Sequence, residues 1–160
     1  MNQETFPIVK DPTPSLRETS RVLSMDEILT PEFQAYLDKL AATMLVEDGV
    51  GIASPQVGRN IRAIIISPTG TLESWINPEI IKASDTMVES EEGCLSVPGV
   101  YGIVKRHKKI RVRAMNRHGR MEEMDVKGFP AIVWQHEIDH VNGILFIDKA
   151  ERMIKTGKHI

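Results

Sequence analysis

The sequence of 160 residues contains one cysteine, Cys94, which excludes an internal disulfide. A chain without disulfides suits a reducing compartment, so we expect a cytoplasmic location, or an organellar matrix if the source is a eukaryote. The formal net charge is only -2, which gives no general electrostatic attraction to DNA or RNA. No apolar run reaches the length of a membrane span, and the N-terminal residues lack the apolar core of a signal peptide. We therefore expect neither a DNA partner nor a membrane partner.

The chain has the composition of an ordinary globular domain. Hydrophobic residues make up 41% of it and charged residues 26%, which excludes disorder as the main state. A chain of this length buries roughly 70% of the surface that it exposes when unfolded. Four of the nine prolines lie within the first 31 residues. We therefore expect one domain over residues 1–160, with an extended arm over residues 1–30 and a short tail after about residue 150.

Two helices are predicted from their ends and their apolar periodicity. Thr30 can cap a helix that begins at Pro31, and apolar residues at helical spacing extend it to about Asp48. A second helix is predicted over residues 129–142, where a proline stands in the first turn and a glycine follows the last. A weaker pattern indicates a short helix over residues 16–29.

Strand patterns fill the middle of the chain. They lie over residues 61–66, 76–81, 87–90, 109–115 and 121–126, and residues 116–119 have the composition of a hairpin turn. The first run is largely apolar, so we expect it to be buried on both faces. The order of helix, several strands and helix predicts an α+β fold, with antiparallel β-sheets around a central helix.

The second predicted helix carries the motif HEIDH, an HExxH pattern. His136 and His140 stand four residues apart, so on a helix both imidazoles point the same way and can bind one metal ion. Glu137 follows the first histidine, where a carboxylate can exchange a proton with a water activated by the metal. The alternative is a solvated helix face that carries two histidines by chance.

A third metal ligand is needed, and Cys94 is the best candidate. The extended pattern HExxHxxGxxH would require a histidine where Phe146 stands, and Glu151 is the sole glutamate that follows His140. Ordinary zinc peptidase arrangements therefore fit poorly. A thiolate beside two imidazoles leaves one coordination position open, as expected of a catalytic site. The alternative for Cys94 is a small buried hydrophobic residue.

The loop after the first helix, GVGIASPQ, is the third candidate element. Its glycines let a backbone approach a ligand closely, and the amide of Gln56 can donate to a developing oxyanion. The alternative is a helix-to-strand loop in which glycine serves only the backbone geometry. The loop matches neither the dinucleotide-binding fingerprint nor the P-loop.

Taken together, three separate motifs resemble the signature motifs of the peptide deformylases. They are GVGIASPQ (49–56), EGCLS (92–96) and QHEIDH (135–140), and they occur in that family's order and at similar spacing. The resemblance extends from PSLR (14–17) to GILFID (143–148) and so covers most of the chain.

The resemblance implies a metal-dependent hydrolase that removes the N-terminal formyl group from formyl-methionine of nascent chains. It implies one divalent metal ion, natively Fe(II) and often replaced by Zn, Ni or Co, held by Cys94, His136 and His140. It makes Glu137 the general base and acid.

Further roles also follow from the resemblance alone. The backbone N–H of Leu95 and the side chain of Gln56 would stabilise the oxyanion. The residues assigned to substrate binding or to shaping the site are Gly49, Val50, Gly51, Ile52, Ile132 and Val133, the last two in the methionine pocket. Plain core packing is an equal alternative for Ile132 and Val133. Glu92 and Arg106 would form a partly buried ion pair.

Two departures from the family pattern stand out. Ser54 replaces an alanine that many members have, and only twenty residues follow His140. Many bacterial members continue into a long C-terminal helix that contacts the ribosome, so a ribosome contact of that kind is in doubt. Other functions remain open from the residues themselves: a small HExxH metallopeptidase or other amidase, and a non-catalytic metal-binding module.

Overall fold

The computed structural model describes residues 4–157, 159 and 160. In this part of the chain the α-helices are α1 (Met25–Ile28), α2 (Pro31–Val46), α3 (Phe129–Val141) and α4 (Phe146–Lys149). The strands are β1 (Gly51–Ala53), β2 (Ala63–Ile66), β3 (Glu73–Ala83), β4 (Met87–Cys94), β5 (Val97–His107), β6 (Lys109–Met115), β7 (Met121–Lys127) and β8 (Arg152–Ile154). Short 3-10 helices cover Pro14–Arg17 and Ser54–Val57.

The strands form two antiparallel sheets. One has five strands in the order β1-β2-β3-β6-β7, and the other has three in the order β4-β5-β8. Helix α3, which carries the HEIDH motif, packs against β1, β2, β3 and β7 of the larger sheet and against β5 of the smaller one. The predicted combination of helices with antiparallel sheets is confirmed.

Helix α2 begins where the sequence predicts, because Thr30 caps it. The Thr30 hydroxyl accepts a hydrogen bond from the amide of Phe33 at 3.1 Å, and Pro31 occupies the first turn. The helix ends at Val46, two residues earlier than predicted, because Asp48 adopts a left-handed backbone conformation with a φ of 57°. This termination returns the chain toward β1.

Strand β2 separates two apolar clusters. Ile64 and Ile66 pack in a cluster with α3 residues, whereas Ala63 and Ile65 pack in a second cluster with α2 residues. Successive side chains of a strand point to opposite faces, so β2 is buried on both, as predicted. The two clusters hold α2 and α3 on opposite faces of the larger sheet.

None of the helices in the described part of the chain is long and apolar enough to cross a membrane.

The N-terminal segment is less helical than the predicted helix over residues 16–29. It contains a 3-10 turn and the single-turn helix α1, between which the chain is extended. The amide of Ser20 donates to the carbonyl of Val141, and that of Arg21 donates to the carbonyl of Asn60. Because these main-chain groups bond to distant segments, they cannot form helical hydrogen bonds.

Several elements are absent from the prediction or longer than predicted. Strand β5 contains Pro98, Gly99 and Gly102, which disfavour a strand by propensity. Pro98 and Gly99 lie in the register shift, whereas residues 101–107 pair continuously with β4. That pairing extends β4 to Cys94. The segment after residue 150, expected to be a short tail, supplies β8 as the third strand of the smaller sheet. Helix α4 and the three-residue strand β1 are too short for a periodic pattern to reveal them.

Candidate active site

Three buried side chains meet between α3 and the end of β4. The possible ligand atoms of Cys94, His136 and His140 all lie within 4.8 Å of one another, and Nε2 of His140 is 3.3 Å from Sγ of Cys94. The two histidines are one helical turn apart on α3, so their rings share a face. Among the residues that the structure describes, the cluster has these three members.

Cys94 reaches this cluster because of a tight hairpin. It is the last residue of β4 and lies opposite Val97, so only Leu95 and Ser96 form the turn into β5. The register shifts between Gly93 and Cys94, as in a β-bulge, which re-aims a side chain relative to the regular pleat. The cysteine thus lies where a strand ends at a turn.

Glu92 fixes the orientation of the first histidine. Nδ1 of His136 lies 2.8 Å from Oε1 of Glu92, which leaves Nε2 of His136 buried and without a hydrogen-bond partner. Metal-bound histidines commonly make this arrangement, with one ring nitrogen bonded to a carboxylate and the other free for the ion. Buried polar atoms are rarely left unpaired, so this nitrogen calls for a ligand.

Glu92 belongs to a buried chain of charges that includes Arg106 and Asp139. The Arg106 guanidinium donates to both oxygens of Glu92 at 2.7 and 2.8 Å, and to Oδ2 of Asp139 at 2.6 Å. Lys149 donates to the other oxygen of Asp139 at 3.0 Å. Burial favours a raised pKa for Glu92, but the hydrogen bonds from Arg106 and His136 outweigh it and lower that pKa to about 2.

Burial shifts the pKa values of Cys94, Glu137 and His140 toward their neutral forms. Burial raises the pKa of the Cys94 thiol to about 12 and raises the pKa of Glu137 well above its ordinary value. Burial also lowers the pKa of His140 well below its ordinary value, and the nearby charge of His136 acts in the same direction. A neutral histidine and a thiol that a cation would deprotonate are what metal binding requires.

The donor set fits a divalent transition metal. One sulfur and two imidazole nitrogens suit ions such as Fe(II), Zn and Ni, and three protein ligands leave a position open for water or substrate. Both carboxylate oxygens of Glu137 are buried and lack a hydrogen-bond partner. This carboxylate follows the first ligand on α3, where a reacting water could meet it.

Gln56 lies beside the cysteine, in the 3-10 helix that follows β1. Its Oε1 accepts a hydrogen bond from the amide of Ala53 at 3.0 Å, which fixes the side chain. Its Nε2 lies 3.5 Å from Sγ of Cys94 and 3.3 Å from Oγ of Ser96. The donating end of the amide therefore faces the cluster.

The chain before Gln56 approaches Glu137 at Gly51. A Cβ at Gly51 would lie 2.4 Å from Oε2 of Glu137, so only glycine fits there. Strand β1 is an edge strand of its sheet, and the Val50 carbonyl accepts a hydrogen bond from the amide of Ser67. Because main-chain groups alternate sides along a strand, the N–H and C=O of Gly51 face the free edge.

The other substrate-binding candidates lie nearby. Gly49 is half-buried, and a Cβ there would lie 3.2 Å from the Leu95 side chain. Val133 belongs to the apolar cluster around α3, and Val50 and Ile132 pack against that cluster. Ile52 packs in the α2 cluster instead.

Sequence reasoning missed several supporting residues. Asp139 is part of the HEIDH motif, and its position three residues after His136 is the only local signal of its role. The two residues that the sequence excluded as the third metal ligand have other contacts. Phe146 stacks on the ring of His136 with centroids 6.4 Å apart, and Glu151 forms a salt bridge with Lys105 at 3.5 Å. Gln135, one residue before the motif, bonds to both main-chain groups of His107 in β5.

Comparisons with known proteins agree with this geometry. A family model described as "Polypeptide deformylase" matches residues 5–156. A peptide deformylase from Carboxydothermus hydrogenoformans is 40% identical over 153 residues, which cover 96% of this chain and 98% of that protein. Peptide deformylase 2 from a Nostoc species is 38% identical over 166 residues, with 98% of this chain and 92% of that protein covered.

The fold is shared with a solved structure as well. The Met-Ala-Ser-bound crystal structure of a class I type b peptide deformylase from Acinetobacter baumannii superposes with a TM-score of 0.89. The sequence identity is 36%, and the match covers 92% of this chain and 99% of that one. A family model that spans nearly the whole chain, full-length relatives and a matching fold lead to one conclusion: the chain belongs to the polypeptide deformylase family.

Proposed function

We propose that this chain is a metal-dependent hydrolase that removes the N-terminal formyl group from formyl-methionine of newly made proteins. The observation that carries the proposal is the buried carboxylate of Glu137, whose two oxygens are unpartnered beside Cys94, His136 and His140. Named relatives are peptide deformylases, and one of them binds the peptide Met-Ala-Ser, which corresponds to a deformylated product.

Cys94, His136 and His140 would hold one divalent ion, with Fe(II) as the native metal and Zn, Ni or Co as substitutes. When bound, such an ion polarises a carbonyl oxygen and lowers the pKa of water. Glu92 holds His136 in the tautomer that presents Nε2 to the ion.

Glu137 would carry the proton. One of its oxygens accepts a proton from the attacking water, whose oxygen bonds to the formyl carbon. The carboxyl group then passes that proton to the peptide nitrogen as the carbon–nitrogen bond breaks, which releases formate and a free amine. A buried carboxyl with a raised pKa is suited to both steps.

Gln56 and Leu95 would stabilise the tetrahedral oxyanion. The Gln56 amide is held by Ala53 with its Nε2 toward Cys94, and the Leu95 N–H follows Cys94 in the hairpin turn. Donors fixed in advance need no reorganisation during the reaction, and the loss of one costs about 3 kcal/mol of transition-state stabilisation.

The substrate peptide would pair with the free edge of β1. Gly51 offers its N–H and C=O at this edge, and Gly49 and Val50 precede it in the chain. A peptide added there as a strand would bring its first residue toward α3. Ile132 and Val133, one turn before His136, would line the methionine pocket.

At the level of the whole chain, we propose a single catalytic domain over residues 1–160, in which the sheets surround α3 as a central helix. We include the N-terminal arm in this domain, and the bonds from the amides of Ser20 and Arg21 to the carbonyls of Val141 and Asn60 support it. We further propose a cytoplasmic location, or an organellar matrix in a eukaryote.

The test is a comparison of three peptides with the protein purified without oxygen and loaded with Fe(II) or Ni(II). Formyl-Met-Ala-Ser is expected to release formate, while acetyl-Met-Ala-Ser and unblocked Met-Ala-Ser are left intact. Cleavage of Met-Ala-Ser would indicate a metallopeptidase, and release of acetate at a similar rate would indicate a broader amidase. A protein that binds the metal stoichiometrically but acts on none of the peptides would be a non-catalytic metal-binding module.

A further inference from the structure

After β8 the chain returns to the edge of β4 beside the metal-binding cluster. Gly93, the residue before Cys94, forms a parallel β-bridge with His159. The amide of Ile160 donates a hydrogen bond to the carbonyl of Gly93 at 3.2 Å. The strand edge next to the cysteine is therefore already paired by the chain itself.

The Ile160 side chain is held in the apolar cluster around α3. It is only 4% exposed and belongs to the same cluster as Val133, against which Val50 and Ile132 pack. Val50 also lines a cavity together with Ile160 and His159. Val50, Ile132 and Val133 are the residues assigned above to binding the substrate backbone and to the methionine pocket.

The His159 ring is fixed in place by two neighbours. It stacks on Tyr101 with centroids 5.7 Å apart and an interplanar angle of 15°. A Cβ on Gly93 would lie 3.1 Å from Cδ2 of this ring, so the glycine allows the close approach. The segment of residues 159 and 160 is thus held both by backbone pairing with Gly93 and by side-chain stacking on Tyr101.

We propose that His159 and Ile160 occupy the peptide-binding groove of this chain and compete in cis with the substrate. The inference rests on the proposed function. The cavity that Val50 and Ile160 share is also lined by Glu91 of β4, so it lies between the segment that leads into β1 and the edge strand β4, where an extended peptide would enter. Ile160 uses the Gly93 carbonyl in the way an added strand would, and its aliphatic side chain is similar in size to methionine.

Such competition lowers the apparent affinity for substrate without changing the chemical step. The measured dissociation constant equals the intrinsic value divided by the fraction of molecules with an open groove. If the groove is open about one-tenth of the time, releasing the segment improves the apparent affinity roughly tenfold.

Substitution of Ile160 tests the proposal. Ile160→Gly removes the side-chain anchor and is expected to lower the KM for formyl-Met-Ala-Ser roughly tenfold, with kcat unchanged. Ile160→Leu keeps an apolar anchor and is expected to keep the KM near that of the parent. Lys155→Ala changes an exposed residue of the same segment and serves as the control. An unchanged or increased KM in Ile160→Gly would overturn the proposal, and an increase would make Ile160 part of the substrate pocket.

A binding measurement separates this proposal from the failure of the proposed function. Met-Ala-Ser is titrated into protein labelled at isoleucine methyl groups, and the Ile160 methyl signals are followed by NMR. On peptide binding, the chemical shifts of the Ile160 methyl groups are expected to move toward those of a solvent-exposed isoleucine. This result is expected whether or not formate is released from the formylated peptide. Peptide binding that leaves these signals in place would refute occupancy of the groove. Absence of binding to both the parent and Ile160→Gly would instead overturn the proposed function, and this inference with it.

Discussion

Nδ1 of His136 lies 2.8 Å from Oε1 of Glu92, and this contact ties the metal-binding helix to the strand that carries Cys94. Glu92 stands two residues before the cysteine, so one buried carboxylate fixes ligands from two distant parts of the chain. Arg106 bonds to both oxygens of the same carboxylate and keeps it ionised. The geometry of the site therefore depends on a charge network as much as on the ligands.

Glu92→Gln tests this network. The substitution removes one of the two carboxylates that compensate Arg106 and leaves Asp139 as the other. Breaking a buried ion pair costs up to about 3–5 kcal/mol of the free energy of unfolding. Metal affinity is expected to fall roughly 10- to 100-fold because the orientation of His136 is lost. Urea unfolding and metal titration measure the two effects. Glu89→Gln, on the exposed part of the same strand, is the control and should change stability by less than about 1 kcal/mol.

The ion pair between Glu92 and Arg106 also predicts how the stability of the fold depends on pH. The pKa of Glu92 is about 2 in the folded protein, below the ordinary value of 4.5. Its ionisation therefore stabilises the fold fully above about pH 4.5, and this contribution is lost as the pH falls toward 2. The difference in unfolding free energy between the parent and Glu92→Gln, measured without metal from pH 6 down, should shrink over this window. A difference that stays constant would contradict the assignment.

Gly51→Ala should reduce activity sharply while the protein stays folded. Its Cβ would lie 2.4 Å from Oε2 of Glu137, so the carboxylate or β1 must move. A displacement of about 1 Å at a reacting group can cost roughly 100-fold in rate. Gly49→Ala, whose Cβ meets the Leu95 side chain at 3.2 Å, should lose less. Steady-state kinetics of formate release measures the loss of activity in both variants. Equal losses in Gly51→Ala and Gly49→Ala would argue against a special role for Gly51.

Gln56→Ala should lower kcat by about 100- to 1000-fold with little change in KM, because the amide acts on the oxyanion and not on the bound substrate. Ser96→Ala removes only a hydroxyl near Nε2 of Gln56 and should have a smaller effect. If the two variants lost activity equally, the position of the hairpin rather than the Gln56 amide would be responsible.

Much of the site follows from local sequence rules. His136 and His140 share a face because of helical periodicity, and Thr30 caps α2 through a contact three residues away. These features need no knowledge of distant residues. Strand β2 was likewise recognisable because burial on both faces leaves an unbroken apolar run.

The rest depends on contacts between distant residues. Arg106 and Asp139 are separated by 33 residues and meet only after the sheet and α3 have packed. Strand β5 forms despite Pro98 and its glycines, because residues 101–107 pair continuously with β4 and the register shift leaves Pro98 and Gly99 without partners there. The return of Ile160 to Gly93 has no signal in the sequence, since the two residues become neighbours only in the folded chain.

The most direct test of the account compares the parent with Glu137→Gln, both loaded with Fe(II) or Ni(II) without oxygen. The amide keeps the size of the side chain but cannot carry the proton. Formate release from formyl-Met-Ala-Ser is expected to fall by about 100- to 10,000-fold, with one equivalent of metal retained in each protein. Equal rates from both proteins, or a loss of activity that occurs only together with loss of the metal, would contradict the role of Glu137.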